Sequence, residues 1–191
     1  KPRVFTALAN VGVFTGPHEP PIVPDVALAM DVLVHPNVND RTKLSYFVWE
    51  QGKAPDLVIE VVSNREGDEL GKRKRGYQRW RVPYYVVWDP YHDLGGDELM
   101  TFESRGDLYV PAKPRFERIG LELRPWDGPY EGVEWHWLRW YDLEGRLILT
   151  GAERAATAEE RAATAEERAA TAEERAATAE GRAADLAAQL R

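Results

Sequence analysis

All seven Trp, all eight Tyr, all five Phe and all thirteen Pro of this 191-residue chain lie before Thr150. Beyond it the sequence is nearly a single seven-residue unit. Glu153-Arg154-Ala155-Ala156-Thr157-Ala158-Glu159 is followed by Glu160-Arg161-Ala162-Ala163-Thr164-Ala165-Glu166 and by two further copies. A period of seven rich in Ala, Glu and Arg spells a long helix able to coil. One compact core is expected, since about 100–200 residues make one ordinary domain. The chain therefore divides into a domain over residues 1–150 and an Ala/Glu/Arg-rich helical coiled-coil tail over residues 151–191.

With Ala155 at heptad position a, Ala158 is d, Glu159 e, Glu160 f and Arg161 g, and every repeat agrees. Within the repeats Arg and Glu never stand three or four residues apart, so they give an isolated helix little support. They flank the alanine seam instead. In a parallel pair Arg161 of one chain faces Glu166 of the other, and Arg168 faces Glu173, whereas an antiparallel pair sets like on like. A homodimer through parallel tail helices is the expected self-association. It is expected to be weak, because each Ala buries about one methyl, ~0.8 kcal/mol at best. Gly181 weakens the helix further before Leu186 and Leu190 restore larger apolar groups. The alternative is that the alanine stripe docks on the body.

Several classes drop out on composition. With no cysteine there is no disulfide scaffold, thiol nucleophile or Cys-ligated metal, and a reducing, cytoplasmic setting fits. No run approaches the ~18–20 apolar residues of a membrane span. A formal charge of −7 argues against coating nucleic acid electrostatically, while leaving room for a local basic patch.

The body reads as mixed α/β. Pro21 to Val34 is extended. Asp56-Leu57-Val58-Ile59-Glu60-Val61-Val62, after Pro55, is apolar on both faces and predicts a central, covered strand. A helix over Asp68 to Arg81 opens on acids and carries its cations later, as the helix dipole prefers. Val82-Pro83 stops it, and Tyr84–Trp88 is the next strand. Shorter strands follow at Glu98–Phe102, Leu108–Val110, Gly132–Trp140 and Leu147–Leu149, the last closing a hairpin at Gly145.

Glu60 interrupts that apolar strand, where a charge is expensive without a partner. Alone it fits a structural ion pair with the next helix as well as a catalytic role. Asp25, after Pro24 at the mouth of another strand, is a weaker signal, since Pro-Asp is a common turn step. At about 100° per residue from Leu70, Arg73, Lys74, Tyr77 and Arg81 share the helix face expected to pack on the sheet. Two strand carboxylates and an inward cation make the constellation of metal-dependent phosphodiester cleavage.

The segments Pro24-Asp25-Val26, Ser45–Gly52, Pro55–Ser63, Tyr77 and Val82–Pro90 resemble, in order and spacing, the Uma-two family of restriction endonucleases in the PD-(D/E)XK nuclease superfamily. The resemblance covers Pro21 to Pro90, with looser similarity to about Thr150, and helical tails of this composition recur in that family. It implies a restriction-endonuclease-like mixed sheet with a flanking helix, and Mg²⁺- or Mn²⁺-dependent cleavage of DNA. By that resemblance Asp25 and Glu60 are the metal-binding acids, and the Val62 backbone carbonyl is a further ligand. Val62 itself stands where the superfamily carries a strand lysine. The family supplies a lysine from the following helix instead, four residues before the helix tyrosine, and here that position is Arg73. Arginine stays protonated, so it can position water or neutralise charge but cannot act as a base. Lys74, one residue on, is the other candidate.

The remaining features carry less. His18, His35, His92 and His136 lack the spacing of a helical metal pair. Trp135 and Trp137 alternate as strand packing does, with base stacking as the sharper alternative. Lys72-Arg73-Lys74-Arg75 with Arg79 is the one dense basic cluster, a solvated face or a phosphate contact. Asp56 and Asp89 read as caps or supporting groups. The sequence thus points to a metal-dependent DNA endonuclease, with a catalytically degenerate module of the same fold, used for binding or assembly through its tail, as the alternative.

Overall fold

The computed structural model describes residues 3–32, 45–63 and 68–189. His35, residues 33–34 of the expected extended segment, Leu190 and the side chain of Leu186 lie outside that description. The chain forms two compact units, Lys1–Leu147 and Ile148–Arg191.

In the first unit the elements are β1 (Phe5–Ala9), β2 (Val13–Phe14), β3 (Val26–Met30), β4 (Tyr46–Phe47), α1 (Val48–Gln51) and β5 (Leu57–Val61). A π-helical turn (Glu69–Arg73) then leads into α2 (Lys74–Arg79) and β6 (Tyr84–Trp88). β7 (Leu99–Arg105), β8 (Leu108–Pro111), β9 (Arg115–Phe116), β10 (Leu121–Tyr130) and β11 (Val133–Asp142) complete it. Six strands form one mixed sheet in the order β1-β3-β5-β6-β7-β8, and β11-β10-β9 form a second. Only β5 and β6 run parallel in the large sheet, joined through the π-turn and α2. This is the α/β, restriction-endonuclease-like mixed sheet with flanking helix expected from the sequence.

The alternation of β5 and β6 explains the layering. Leu57, Ile59, Tyr84, Val86 and Trp88 face one side, where Phe116, Ile119 and Leu123 cover them together with Leu138 and Trp140 of β11. Val58, Val62, Tyr85 and Val87 face the other, beneath Tyr77 of α2 and Val82. Both faces are dry, as the doubly apolar sequence of a central strand requires. By the same period of two, Glu60 falls on the helix side with Val58 and Val62.

Three expectations need correction. The helix foreseen over Asp68 to Arg81 is a π-turn followed by a short α-helix, with Arg73 N–H donating to Asp68 C=O, five residues back, at 3.1 Å. It ends at Arg79, and Arg81 just beyond has a left-handed φ of +56°. Leu70, the assumed inward reference, is 43% exposed, because the wider turn rotates the inward line onto Glu69, Arg73 and Tyr77. The hairpin strand expected at Leu147–Leu149 shrinks to a single bridge from Leu147 to Tyr141. Conversely, β10 was not foreseen, because Pro125, Gly128 and Pro129 break a strand pattern. It tolerates them because β9 pairs with it only at Leu121 and Glu122, leaving an open edge where a missing N–H costs nothing.

In the second unit α3 (Gly151–Gln189) is one helix of 39 residues. Thr150 and Glu153 cap it reciprocally: Glu153 N–H donates to Thr150 Oγ1 at 3.2 Å, and Thr150 N–H to Glu153 Oε2 at 2.7 Å. The repeat's threonines fold back on the helix, Thr157, Thr164, Thr171 and Thr178 each donating to the carbonyl four residues earlier at 2.8–2.9 Å. No helix among the described residues is long and apolar enough to cross a membrane.

Candidate active site

Antiparallel register brings the two acids together. β3 and β5 pair Leu28 with Leu57, Ala27 with Val58 and Val26 with Ile59. Asp25 stands one residue before β3, close enough to Glu60 for its charge to push that carboxyl's pKa up. Asp25 is tied to the neighbouring strand directly, its Oδ2 accepting the Val61 N–H at 2.7 Å. Its own carbonyl accepts the Asn10 N–H at 3.1 Å, which fixes the mouth of β3.

Glu60 is 1% exposed, and both its carboxylate oxygens are engaged. Tyr77 O–H, fully buried, donates to Oε1 at 2.5 Å. Arg73 Nη1 donates to Oε2 at 2.6 Å and also to the Val23 carbonyl at 3.2 Å. Burial pushes the Glu60 carboxyl above its usual range, and Asp25 adds to that rise. The hydrogen bonds from Arg73 and Tyr77 pull it back. Two acceptor oxygens each taking a donor is the geometry of an ionised carboxylate, and Arg73, held more firmly protonated by that hydrogen bond, is its counterion.

Sequence reasoning left Arg73 and Lys74 as rivals, and the structure separates them. Arg73 lies on the inward line of the π-turn, four residues before Tyr77. Lys74 turns toward β7, its ammonium 3.4 Å from the centre of the Phe102 ring, a cation–π contact away from the carboxylates. Burial pushes the Lys74 amine down. Gly76 lets the helix approach Ile22, since a Cβ there would stand 2.5 Å from Ile22 Cδ1. That approach brings Arg73 within reach of Val23. Val62 is 1% exposed, with its N–H on the Trp88 carbonyl at 2.8 Å, so its side chain is core.

A groove of about 630 Å³ runs beside this cluster between Pro20–Val23 and the helix, with Lys72, Arg73 and Arg79 along it and Glu19 and Asp68 at its acidic margin. Asp56 is a supporting group, accepting from Met30 N–H at 2.7 Å and from Lys53 Nζ at 2.5 Å. Asp89, buried, caps a turn by accepting the Asp93 and Leu94 N–H groups. Trp135, 38% exposed, meets Trp137 edge to face at 5.2 Å. His136, dismissed on spacing, lies between Asp127 at 2.6 Å and Glu98 at 3.0 Å, and stacks on Trp88. Those partners stand nine and thirty-eight residues away, so no local pattern could have shown it.

Whether this cluster suits a divalent ion turns on its donors. Asp25 and Glu60 offer hard carboxylate oxygens of the kind Mg²⁺ and Mn²⁺ take, and each oxygen has a second lone pair beyond its hydrogen bond. The donor chemistry fits. The described residues contain no group of three or more Asp, Glu, His or Cys that could hold a metal, so such a site would rest on this pair and main-chain oxygen. No curated protein and no solved structure gives a match to the chain. Residues 2–117 match the family model described as "Uma2: Putative restriction endonuclease". The match spans more than half of the sequence and contains Asp25, Glu60, Arg73 and Tyr77, and the chain belongs to the Uma2 family.

Proposed function

We propose that the domain is a Mg²⁺- or Mn²⁺-dependent DNA endonuclease acting at Asp25 and Glu60. The observation that supports this reading is the buried Glu60 carboxylate on the helix side of β5, held by Arg73 and Tyr77, with the Asp25 carboxylate on the next residue's N–H. Asp25, Glu60 and the Val62 carbonyl would hold the ion, which when bound supplies positive charge to the phosphate and acidity to a coordinated water. In phosphodiester hydrolysis the water oxygen bonds to phosphorus, the bond from phosphorus to one deoxyribose oxygen breaks, and the proton lost by water ends on that leaving oxygen. Arg73 cannot take that proton. Its role is to hold Glu60 and to place positive charge at the groove, where Lys72 and Arg79 would meet the phosphates of the strand.

The test is cleavage of plasmid DNA by the purified chain with Mg²⁺ or Mn²⁺ and with EDTA. Cleavage is expected only with the ion, and Glu60→Ala and Asp25→Ala are each expected to abolish it while circular dichroism stays unchanged. A Glu60→Ala protein that cleaves like the parent removes the assignment. One feature favours the second reading, a degenerate module that binds without cutting: Arg73 already neutralises Glu60. A parent that binds DNA yet never cleaves it under any ion is the outcome expected of that module.

A further inference from the structure

Glu60 is a buried carboxylate inside an apolar strand, and the Asp25 carboxylate sits on the N–H of the next residue, Val61, so the sheet needs a cation at this point. Arg73 is that cation. Its guanidinium reaches Glu60 Oε2 at 2.6 Å while tethered to the Val23 carbonyl at 3.2 Å. Tyr77 takes the other oxygen at 2.5 Å. We infer that Arg73 competes with the divalent ion for Glu60, so that this residue sets the metal affinity of the site. The inference rests on the nuclease reading for the identity of the ion, but its measurement is metal binding, not cleavage.

The competition follows from charge and geometry. An ion approaching Asp25 and Glu60 enters a site whose buried carboxylate already has a full positive charge at contact distance, and the two cations repel. Binding therefore requires the guanidinium to withdraw. It has somewhere to go, since the Arg73 side chain is 40% exposed and lines the groove beside Lys72 and Arg79. Lysine would compete less well. Both bonds come from one guanidinium nitrogen, Nη1, and an ammonium in its place is more strongly hydrated and gives up its charge more readily when buried, so it is displaced more easily.

Titration calorimetry of the full chain with MnCl₂ and MgCl₂ alone, without DNA, measures this directly. Arg73→Met is expected to bind Mn²⁺ at least about tenfold more tightly than the parent, and Arg73→Lys to fall between them. Lys53→Met, which breaks the comparable ion pair with Asp56, is expected to leave the affinity unchanged. If Arg73→Met folds poorly without metal, the expectation becomes a melting temperature that rises with added Mn²⁺ far more than the parent's does. Equal or weaker Mn²⁺ binding in both Arg73 variants overturns the competition, even if the parent proves an active nuclease. Absence of binding in the parent and in both variants overturns the competition and the metal site together. Tighter binding in the variants from a parent that never cleaves upholds the competition and removes only the nuclease reading.

Discussion

Glu60 is the residue on which the body of this protein turns, and Tyr77 shows how it is held. The phenol is fully buried and donates to Oε1 at 2.5 Å, and the proximity of Glu60 together with burial makes its proton harder to remove. Tyr77→Phe deletes one oxygen and leaves the ring's packing, so it isolates that hydrogen bond. A buried acceptor left unsatisfied costs about 1–3 kcal/mol, and urea unfolding is expected to show a loss of that size. Unchanged stability in Tyr77→Phe means the phenol does not hold the carboxylate. The neighbouring cation yields the opposite expectation. Lys74 rests on Phe102 rather than beside the acids, so Lys74→Met is expected to retain DNA cleavage within about twofold, the scatter expected of a change away from the reacting groups. A loss as deep as that of Glu60→Ala would place Lys74 in the chemistry. The sequence shows Glu60, since an acid inside an apolar strand stands out, and it marks Asp25 more weakly, because Pro-Asp is also a common turn step. It does not show which cation meets them, because a one-residue choice depends on whether the turn is α or π, and periodicity does not resolve that.

Elements were legible where their own residues dictate them. β5 and β6 follow from apolar runs, broken only by Glu60, that Pro55, Pro83 and Pro90 bound, and their burial on both faces follows with them. β10 was illegible because its prolines argue against a strand and only the tertiary position, at an edge, excuses them. The same hairpin carries a contact that couples it to the large sheet. His136 on β11 touches Asp127 through Nδ1 and Glu98, just before β7, through Nε2. Ionised carboxylates only accept, so the doubly protonated imidazole is the form that satisfies both contacts at once. The hydrogen bond to Asp127, and then Glu98, raise its pKa above the ordinary histidine value. A group raised on folding stabilises fully below its unfolded pKa, about 6.5, and loses that contribution as pH rises through the folded value. Thermal melts are therefore expected to show the parent losing stability, as pH rises above the ordinary histidine value of about 6.5, more steeply than His136→Gln. Parallel pH profiles for the two proteins would mean that the cluster does not hold the hairpin.

For the whole molecule, the open question is why a compact acidic domain carries a 39-residue helix with no large apolar side chain in its repeats. The capping box at Thr150 and Glu153 starts that helix, but the spacing of Arg and Glu within the repeats sets none of them three or four residues apart, so their charges add little to a single helix. The charges make sense only between helices. In the proposed parallel pair Arg161 and Arg168 lie against Glu166 and Glu173 of a second copy, and the alanine seam permits close approach. Sedimentation of the full chain is expected to show weak, concentration-dependent dimers that a version ending at Thr150 does not form. Added salt is expected to weaken them, since exposed charges are screened beyond about 10 Å at 0.1 M. Orientation is tested by Arg161→Glu with Arg168→Glu. A parallel pair then sets Glu against Glu at two sites on each side and should dissociate. An antiparallel pair, whose flanking charges already meet like with like, merely exchanges one repulsion for another. Dimers that survive this double reversal unchanged exclude the parallel arrangement, and a full chain that stays monomeric at high micromolar concentration excludes pairing through the tail.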